Sequence, residues 1–250
     1  MIIGELDVQK TKSKNKWRIQ KKNNNNNNVF WKYINYDNVG NENGNGNYMK
    51  NNKVTVKAVN VLPLVEFLKK NISSPGANIY LVSKMLADIS VQLNYLDIHQ
   101  KTLLYLETSN IMVIVYNSDR NELVNDDSNV KFIYTSTEAL VHIDKSLTDN
   151  VIVNIPYLKT QYISPELHSL YTLPGYIHKS CSYYSMVLIG VVMLIDHRML
   201  DLPANKNMFR TPMTKNRILE HIEEIKSSKL YYLMERALEN DPKKRAFLYV

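Results

Sequence analysis

The stretch Ser182-Tyr183-Tyr184-Ser185-Met186-Val187-Leu188-Ile189-Gly190 decides the fold of the C-terminal part of this chain. It opens with polar and aromatic residues and continues into the longest uninterrupted apolar run of the sequence, Met186–Ile195, which has ten residues counting Gly190. Such a run predicts an apolar helix, here over residues 182–196. It is too short for a membrane span, which needs about 18 apolar residues or more. No membrane span is therefore predicted.

Two short motifs lie on either side of this helix. Ser164-Pro165-Glu166 precedes it, and Asn240-Asp241-Pro242-Lys243-Lys244-Arg245 follows it, with Arg245 79 residues beyond Glu166. The three stretches stand in the order, and at about the distances, of structural landmarks in the C-terminal lobe of protein kinases. Over about residues 60–250, the chain resembles that family.

The resemblance gives each landmark a structural role. Pro165-Glu166 resembles the end of a kinase activation segment, and the stretch from Ser182 resembles the start of the central helix. Tyr184 stands in place of a tryptophan there, and Ser185 is retained. In the family, the arginine of the last turn pairs with the Pro-Glu glutamate. The resemblance therefore implies an internal ion pair between Glu166 and Arg245.

The catalytic positions of the family hold other residue types. Leu103–Asn110 aligns with the catalytic loop, which puts Tyr105 at the aspartate base and Glu107 at the lysine that neutralises the γ-phosphate. Tyr134 stands at a metal-binding aspartate, and Asn110 alone matches the family. A phenol with a pKa near 10 is a poor base at neutral pH. The resemblance thus implies a pseudokinase without catalytic residues, cofactor or metal ion.

Apolar spacing predicts further elements in this region. A short helix is expected from Leu64, a longer helix follows it, and two helices are expected over residues 214–226 and 229–239. The long helix has one apolar face, formed by Leu81, Met85, Leu86, Ile89, Leu93 and Leu96. Residues 103–116 and Val130–Tyr134 predict a β-hairpin. For residues 53–250 we predict a mainly α domain with a small β-hairpin: a kinase-like C-lobe whose N-lobe is truncated or absent.

The N-terminal segment has a different composition. Residues 1–57 hold eleven Lys and Arg against four Asp and Glu, which accounts for the whole net charge of +7. Asn23–Asn28 is an uninterrupted asparagine run. These features predict a disordered, basic, Asn-rich tail over residues 1–52. Binding of nucleic acid or an anionic surface there would weaken steeply with salt, but charges without interleaved aromatic residues favour a solvated tail.

Cys181 is the only cysteine. One cysteine excludes an internal disulfide framework and indicates a reducing compartment, so we expect an intracellular, cytoplasmic protein. Cys181 lies at the start of the apolar helix, where a thiol pKa can be lowered. Its surroundings nevertheless favour buried packing over a reactive role.

These features together predict a non-catalytic, kinase-like module that binds a protein or peptide partner. It would be either a pseudokinase or a kinase non-catalytic C-lobe domain of the kind found in Spire-type proteins. Docking through apolar and acidic contacts is expected near Leu62–Asn71 and in the groove beside the hairpin. One alternative is a divergent protein serine/threonine kinase that binds ATP. A second is binding of nucleic acid or an anionic surface through the basic tail.

Overall fold

The structure is a computed structural model, and it describes residues 6–10, 16–21, 53–58, 60–116, 129–144, 146, 149–154, 161–201 and 214–246. The helices are α1 (Leu64–Asn71), α2 (Ile79–Ile98), α3 (Pro165–His168), α4 (Cys181–Asp196), α5 (Lys215–Glu220) and α6 (Lys229–Ala237). The strands are β1 (Leu6–Lys10), β2 (Lys16–Lys21), β3 (Lys53–Lys57), β4 (Asn60–Pro63), β5 (Lys101–Leu103), β6 (Ile111–Val115), β7 (Val130–Tyr134), β8 (Leu140–His142), β9 (Asn150–Val153) and β10 (Gly175–His178). Short 3-10 turns lie at Thr108–Asn110, His197–Asp201, Glu223–Ile225 and Pro242–Lys244.

The predicted fold class, mainly α with one small β-hairpin in a kinase-like C-lobe, is wrong. The described residues form ten strands in four small antiparallel sheets, namely β1-β2-β3, β4-β6-β7, β5-β8 and β9-β10. Strands β5, β8, β9 and β10 have only three or four residues each. Their side-chain alternation is too short to be recognised in the sequence. The fold is therefore a mixed α and β arrangement, in which a kinase C-lobe is not shown.

The β-hairpin is confirmed, and its first strand is shorter than the predicted residues 103–116. β6 pairs with β7 in antiparallel register, from Ile111 opposite Tyr134 to Val115 opposite Val130. β4 adds a third strand on the other edge of β6. The predicted tip, residues 117–129, lies outside the described residues except for Asn129.

The apolar helix is confirmed as α4, and it forms the centre of the core. Twelve of its sixteen residues are buried, and it packs against α2 and α6. Asn78 caps the N-terminus of α2, and its side chain accepts hydrogen bonds from the backbone N–H groups of Tyr80 and Leu81. Such a cap satisfies N–H groups that have no partner within the helix. All six predicted apolar positions of α2 are buried.

One described stretch, Cys181–Leu200, is long and apolar enough to cross a membrane. It contains α4, and 67% of its apolar window is buried inside the protein. Core helices of proteins without membrane spans pass the same test, so this is weak evidence. No clear membrane span is shown in the described part of the chain.

Two segments of the tail predicted over residues 1–52 are described in the structure, and both form strands. These strands are β1 and β2, which pair with each other. β2 also pairs with β3, which begins at Lys53. The predicted boundary at residue 52 therefore separates two strands of one sheet, and the Asn23–Asn28 run lies outside the described residues.

Candidate functional site

The segment Leu103–Asn110, which corresponds to the kinase catalytic loop in the predicted resemblance, runs from the last residue of β5 to β6 and is hydrogen-bonded to α4. The Ser185 hydroxyl accepts a hydrogen bond from the Leu106 backbone N–H at 2.8 Å and donates one to the Leu106 carbonyl at 3.3 Å. The Leu104 N–H donates to the Ala139 carbonyl at 2.9 Å. Because Ser185 is fully buried, these bonds fix the loop against the central helix.

Three of the predicted site residues meet at this loop. The Asn110 side-chain amide donates to a Glu107 carboxylate oxygen at 3.4 Å. Tyr134 ends β7 next to them and interacts with both Glu107 and Asn110. Thr135 donates two hydrogen bonds to the Asn110 carbonyl, from its N–H and from its hydroxyl, each at 2.9 Å. The asparagine is thus engaged within the protein.

Tyr105 and Tyr134 are both almost fully buried, with 5% and 1% of their surfaces exposed. Burial raises the pKa of Tyr105 to about 12, and the charges of Glu107 and Glu138 add to this effect. Burial also raises the pKa of Tyr134, again with a contribution from Glu107. Both phenols therefore stay protonated at neutral pH, where neither can act as a base.

Carboxyl groups, and not a lysine, lie at this loop. Burial raises the pKa of Glu107, and the negative charge of Glu138 raises it further. Two carboxylates that repel each other would also repel phosphate groups. Within the described ranges, no group of three or more His, Cys, Asp or Glu side chains is arranged to hold a metal ion.

The structure brings together Glu166 and Arg245, the two residues whose ion pair the kinase resemblance implies. Arg245 Nη1 lies 2.5 Å from Glu166 Oε1, and Nη2 lies 2.8 Å from Oε2. Arg245 Nε donates to the Glu239 carbonyl at 2.7 Å, and the guanidinium carbon lies 5.0 Å from the centre of the Tyr184 ring. The arginine side chain has 0% exposure and the glutamate side chain 20%. Such a bidentate, desolvated pair is geometrically specific.

Ser182 and Tyr184 lie at the start of α4, where the C-terminal motif docks. Ser182 is buried, and its hydroxyl donates to the Lys179 carbonyl at 3.4 Å. The Ser180 hydroxyl donates to the Pro242 carbonyl at 2.7 Å. Burial raises the pKa of Tyr184 to about 12. This corner of the molecule is therefore a structural junction between α3, α4 and the last turn.

Two buried polar residues of α2 were missed by the sequence reasoning. Asp88 accepts a hydrogen bond from the Phe132 N–H at 2.9 Å, and Gln92 accepts one from the Tyr134 N–H at 3.0 Å. The Gln92 amide also donates to the Phe132 carbonyl at 3.2 Å. Both side chains thus form hydrogen bonds with backbone groups of β7 on its edge away from β6. These bonds position Tyr134. Their spacing of four residues on the apolar face was the signal in the sequence.

Cys181 is buried, which agrees with the packing interpretation. It has 0% exposure, and its thiol donates to the Leu103 carbonyl at 3.6 Å. Burial raises its pKa to about 12. The thiolate that reacts with electrophiles is therefore scarce at neutral pH.

We expect Cys181 in the folded protein to remain unmodified by Ellman's reagent and to react completely after unfolding in urea. A Ser227→Cys variant is the control, because Ser227 is exposed and its replacement adds one thiol that reacts at once. Rapid native reaction of the wild-type thiol would contradict the buried position of Cys181.

The expected docking surface near Leu62–Asn71 is not an exposed apolar patch. Leu64, Phe67 and Leu68 of α1 are almost completely buried. The exposed large apolar side chains among the described residues lie elsewhere, on α2 (Tyr80, Val91, Ile98), around β10 (Tyr171, Leu173, Tyr176) and on α6 (Tyr232). A partner surface built on apolar contacts must therefore be sought away from α1.

No family model matches this chain, and a search of the curated proteins gives no match. The kinase resemblance therefore stays a prediction based on the quoted motifs.

Proposed function

We propose that this chain is a non-catalytic protein-interaction module that binds a protein or peptide partner inside the cell. One observation carries the proposal. Buried, protonated phenols stand where the family has two aspartates, and a pair of carboxyl groups, Glu107 and Glu138, lies where it has a lysine. Catalysis of phosphoryl transfer depends on positioning and on positive charge around the phosphate. Tyr105 and Tyr134 supply no base at neutral pH, and Glu107 places a carboxyl group where the family has a phosphate-neutralising cation.

The hydrogen bonds of Asn110 support the same conclusion. In the kinase resemblance, this asparagine would be a ligand of Mg²⁺. Here its side-chain N–H donates to the Glu107 carboxylate, and its backbone carbonyl accepts two hydrogen bonds from Thr135. These bonds hold the backbone carbonyl and the side-chain nitrogen of Asn110 within the loop. The segment therefore serves the architecture of the loop.

Several buried hydrogen bonds and one ion pair hold the segments around this loop, although the catalytic residue types are replaced. Ser185 anchors the loop, Asp88 and Gln92 anchor β7, and Glu166 with Arg245 anchors the C-terminal turn. A structure with these anchors presents a rigid surface, which lowers the entropic cost of binding. This rigidity supports a binding role for the surface.

We expect neither a shift of the thermal midpoint with Mg-ATP nor incorporation of labelled phosphate into a general protein substrate. The physical reason is that a phosphate group would meet the carboxylates of Glu107 and Glu138 without a compensating cation from this loop. The measurement combines a thermal unfolding series with and without Mg-ATP and a radiolabel transfer assay.

An Asn110→Ala variant is the matched control for this experiment. If wild-type protein transfers phosphate and Asn110→Ala does not, the divergent-kinase alternative holds and the proposed function is wrong. A midpoint shift that Asn110→Ala removes would lead to the same conclusion. Equal, null responses from both proteins agree with the proposal.

A further inference from the structure

The solvent-facing side of α2 is a narrow stripe with unusual composition. Its exposed residues are Tyr80, Ala87, Val91, Asn94 and Ile98, and Lys84 completes the stripe at intermediate exposure. Tyr80 is 63% exposed, Val91 42% and Ile98 68%. Ten of the remaining residues of the helix are buried, and Ile79, Ser83, Tyr95 and Asp97 are half-buried. Three large apolar side chains exposed along one face of a single helix indicate a surface that another element covers.

The spacing of the stripe identifies the kind of element that fits. Successive positions are separated by four, three, four, three and four residues. This alternation forms the seam along which two helices pack side by side, with the side chains of one helix between those of the other. From residue 80 to residue 98 the seam is about 27 Å long at 1.5 Å per residue. The stripe therefore fits a second helix better than an extended peptide.

The stripe is also complementary to itself in the antiparallel direction. If two copies pack about a two-fold axis at the middle of α2, Tyr80 of one copy faces Ile98 of the other. Ala87 then faces Val91, a small residue opposite a larger one, and Lys84 faces Asn94. Apolar residues thus oppose apolar residues, and the polar residues oppose each other. This is the residue pattern of an isologous interface.

The charge along the seam does not oppose this pairing. Lys84, the only charged residue of the stripe, lies 2.9 Å from the Asp88 carboxylate of its own helix. Its charge is therefore compensated before a second copy approaches, and its opposite position is the neutral Asn94. Like-charge repulsion between the two helices is thus small.

We infer that the exposed stripe of α2 is a self-association surface, through which two copies of this chain pair as antiparallel helices. The inference does not depend on whether the chain lacks phosphoryl transfer. A single helix pair is a small interface, so the dimer is weak and transient, with a dissociation constant in the micromolar range. Because the contacts are apolar, association should survive moderate salt.

Sedimentation of the full chain over a range of micromolar concentrations tests this inference. We expect the mass to rise with concentration from 29.1 kDa towards twice that value. Ile98→Glu and Val91→Glu should each hold the protein at the monomer mass, because both place a charge in the apolar seam. Tyr232→Glu is the matched control, since Tyr232 is 57% exposed on α6 and outside the stripe. It should associate as the wild type does.

A charge-pair experiment tests the antiparallel register. Tyr80→Glu alone should weaken association, whereas Tyr80→Glu combined with Ile98→Lys should restore it, because the introduced carboxylate and ammonium face each other across the axis. Far-UV circular dichroism of each variant checks that the fold is retained. The inference is overturned if the folded wild type stays monomeric over the whole range, if Ile98→Glu dimerises normally, or if the double variant is no better than Tyr80→Glu.

Discussion

Arg245→Met should lower the free energy of unfolding by about 3–5 kcal/mol, the usual loss when one partner of a buried ion pair is removed. The substitution leaves the Glu166 carboxylate, whose side chain is only 20% exposed, without its counter-charge. It also leaves the Glu239 carbonyl without the donor that lies 2.7 Å away and removes the cation above the Tyr184 ring. Urea unfolding of both proteins, with equal slopes against denaturant, measures the difference.

A double-mutant cycle separates the ion pair from general packing. Glu166→Gln should destabilise the wild type strongly, since it leaves a fully buried guanidinium unpaired, and should add little in the Arg245→Met background. Arg236→Met is the control: Arg236 is exposed on α6, so its loss should change stability by about 0.5 kcal/mol or less. Additive effects of the two substitutions would show that the side chains are not energetically coupled.

The contact between Glu166 and Arg245 was expected only because the kinase resemblance implies it. Two residues 79 positions apart give no pattern of their own, so local periodicity could not have linked them. α4 was predictable for a different reason. Its apolar run has no polar face, and a continuous apolar run longer than a strand predicts a buried helix.

The small sheets were not predictable because their strands are short. β5 spans three residues and β10 four, so neither contains enough alternation for one face to be distinguished from the other. These strands are held by pairing between distant segments, as Gly175 pairs with Val153. Propensity describes local preference and does not show which distant segment will pair.

At the candidate site too, some features were predictable from the sequence and others depend on the folded structure. The residue types at Tyr105, Glu107 and Tyr134 were evident from the sequence, and they indicated altered chemistry. Their pKa shifts depend on burial and on Glu138, which comes near only in the folded chain. The roles of Asp88 and Gln92 were missed because the α2 analysis considered apolar positions alone. Polar residues within a buried face bind a specific partner or destabilise the fold.

Gly76→Ala should lower the free energy of unfolding by about 3 kcal/mol or more, which combines overpacking with the loss of hydrogen bonds. A Cβ atom at residue 76 would lie 2.0 Å from the Leu194 carbonyl oxygen and 3.1 Å from its carbonyl carbon, and both atoms belong to the backbone of α4. The neighbouring residues hold the end of that helix. The Ala77 N–H donates to the Met193 carbonyl at 2.7 Å, and the His197 N–H donates to the Pro75 carbonyl at 2.9 Å. To accept the methyl group, the segment must move away from α4, and both hydrogen bonds lengthen.

Gly190→Ala is the matched control for Gly76→Ala, because it adds the same methyl group at another close contact. There the new Cβ would meet side-chain atoms of Met234, Leu86 and Val82 at 3.2–3.3 Å, and no backbone atom lies as close as the Leu194 carbonyl oxygen does to residue 76. Alanine is also favoured over glycine within a helix by about 1 kcal/mol, which offsets part of the crowding. We therefore expect Gly190→Ala to change stability by no more than about 1 kcal/mol, well below the effect at residue 76. If urea unfolding instead shows Gly190→Ala to be the more damaging change, the close approach of residues 75–77 to the end of α4 is not a determinant of this fold.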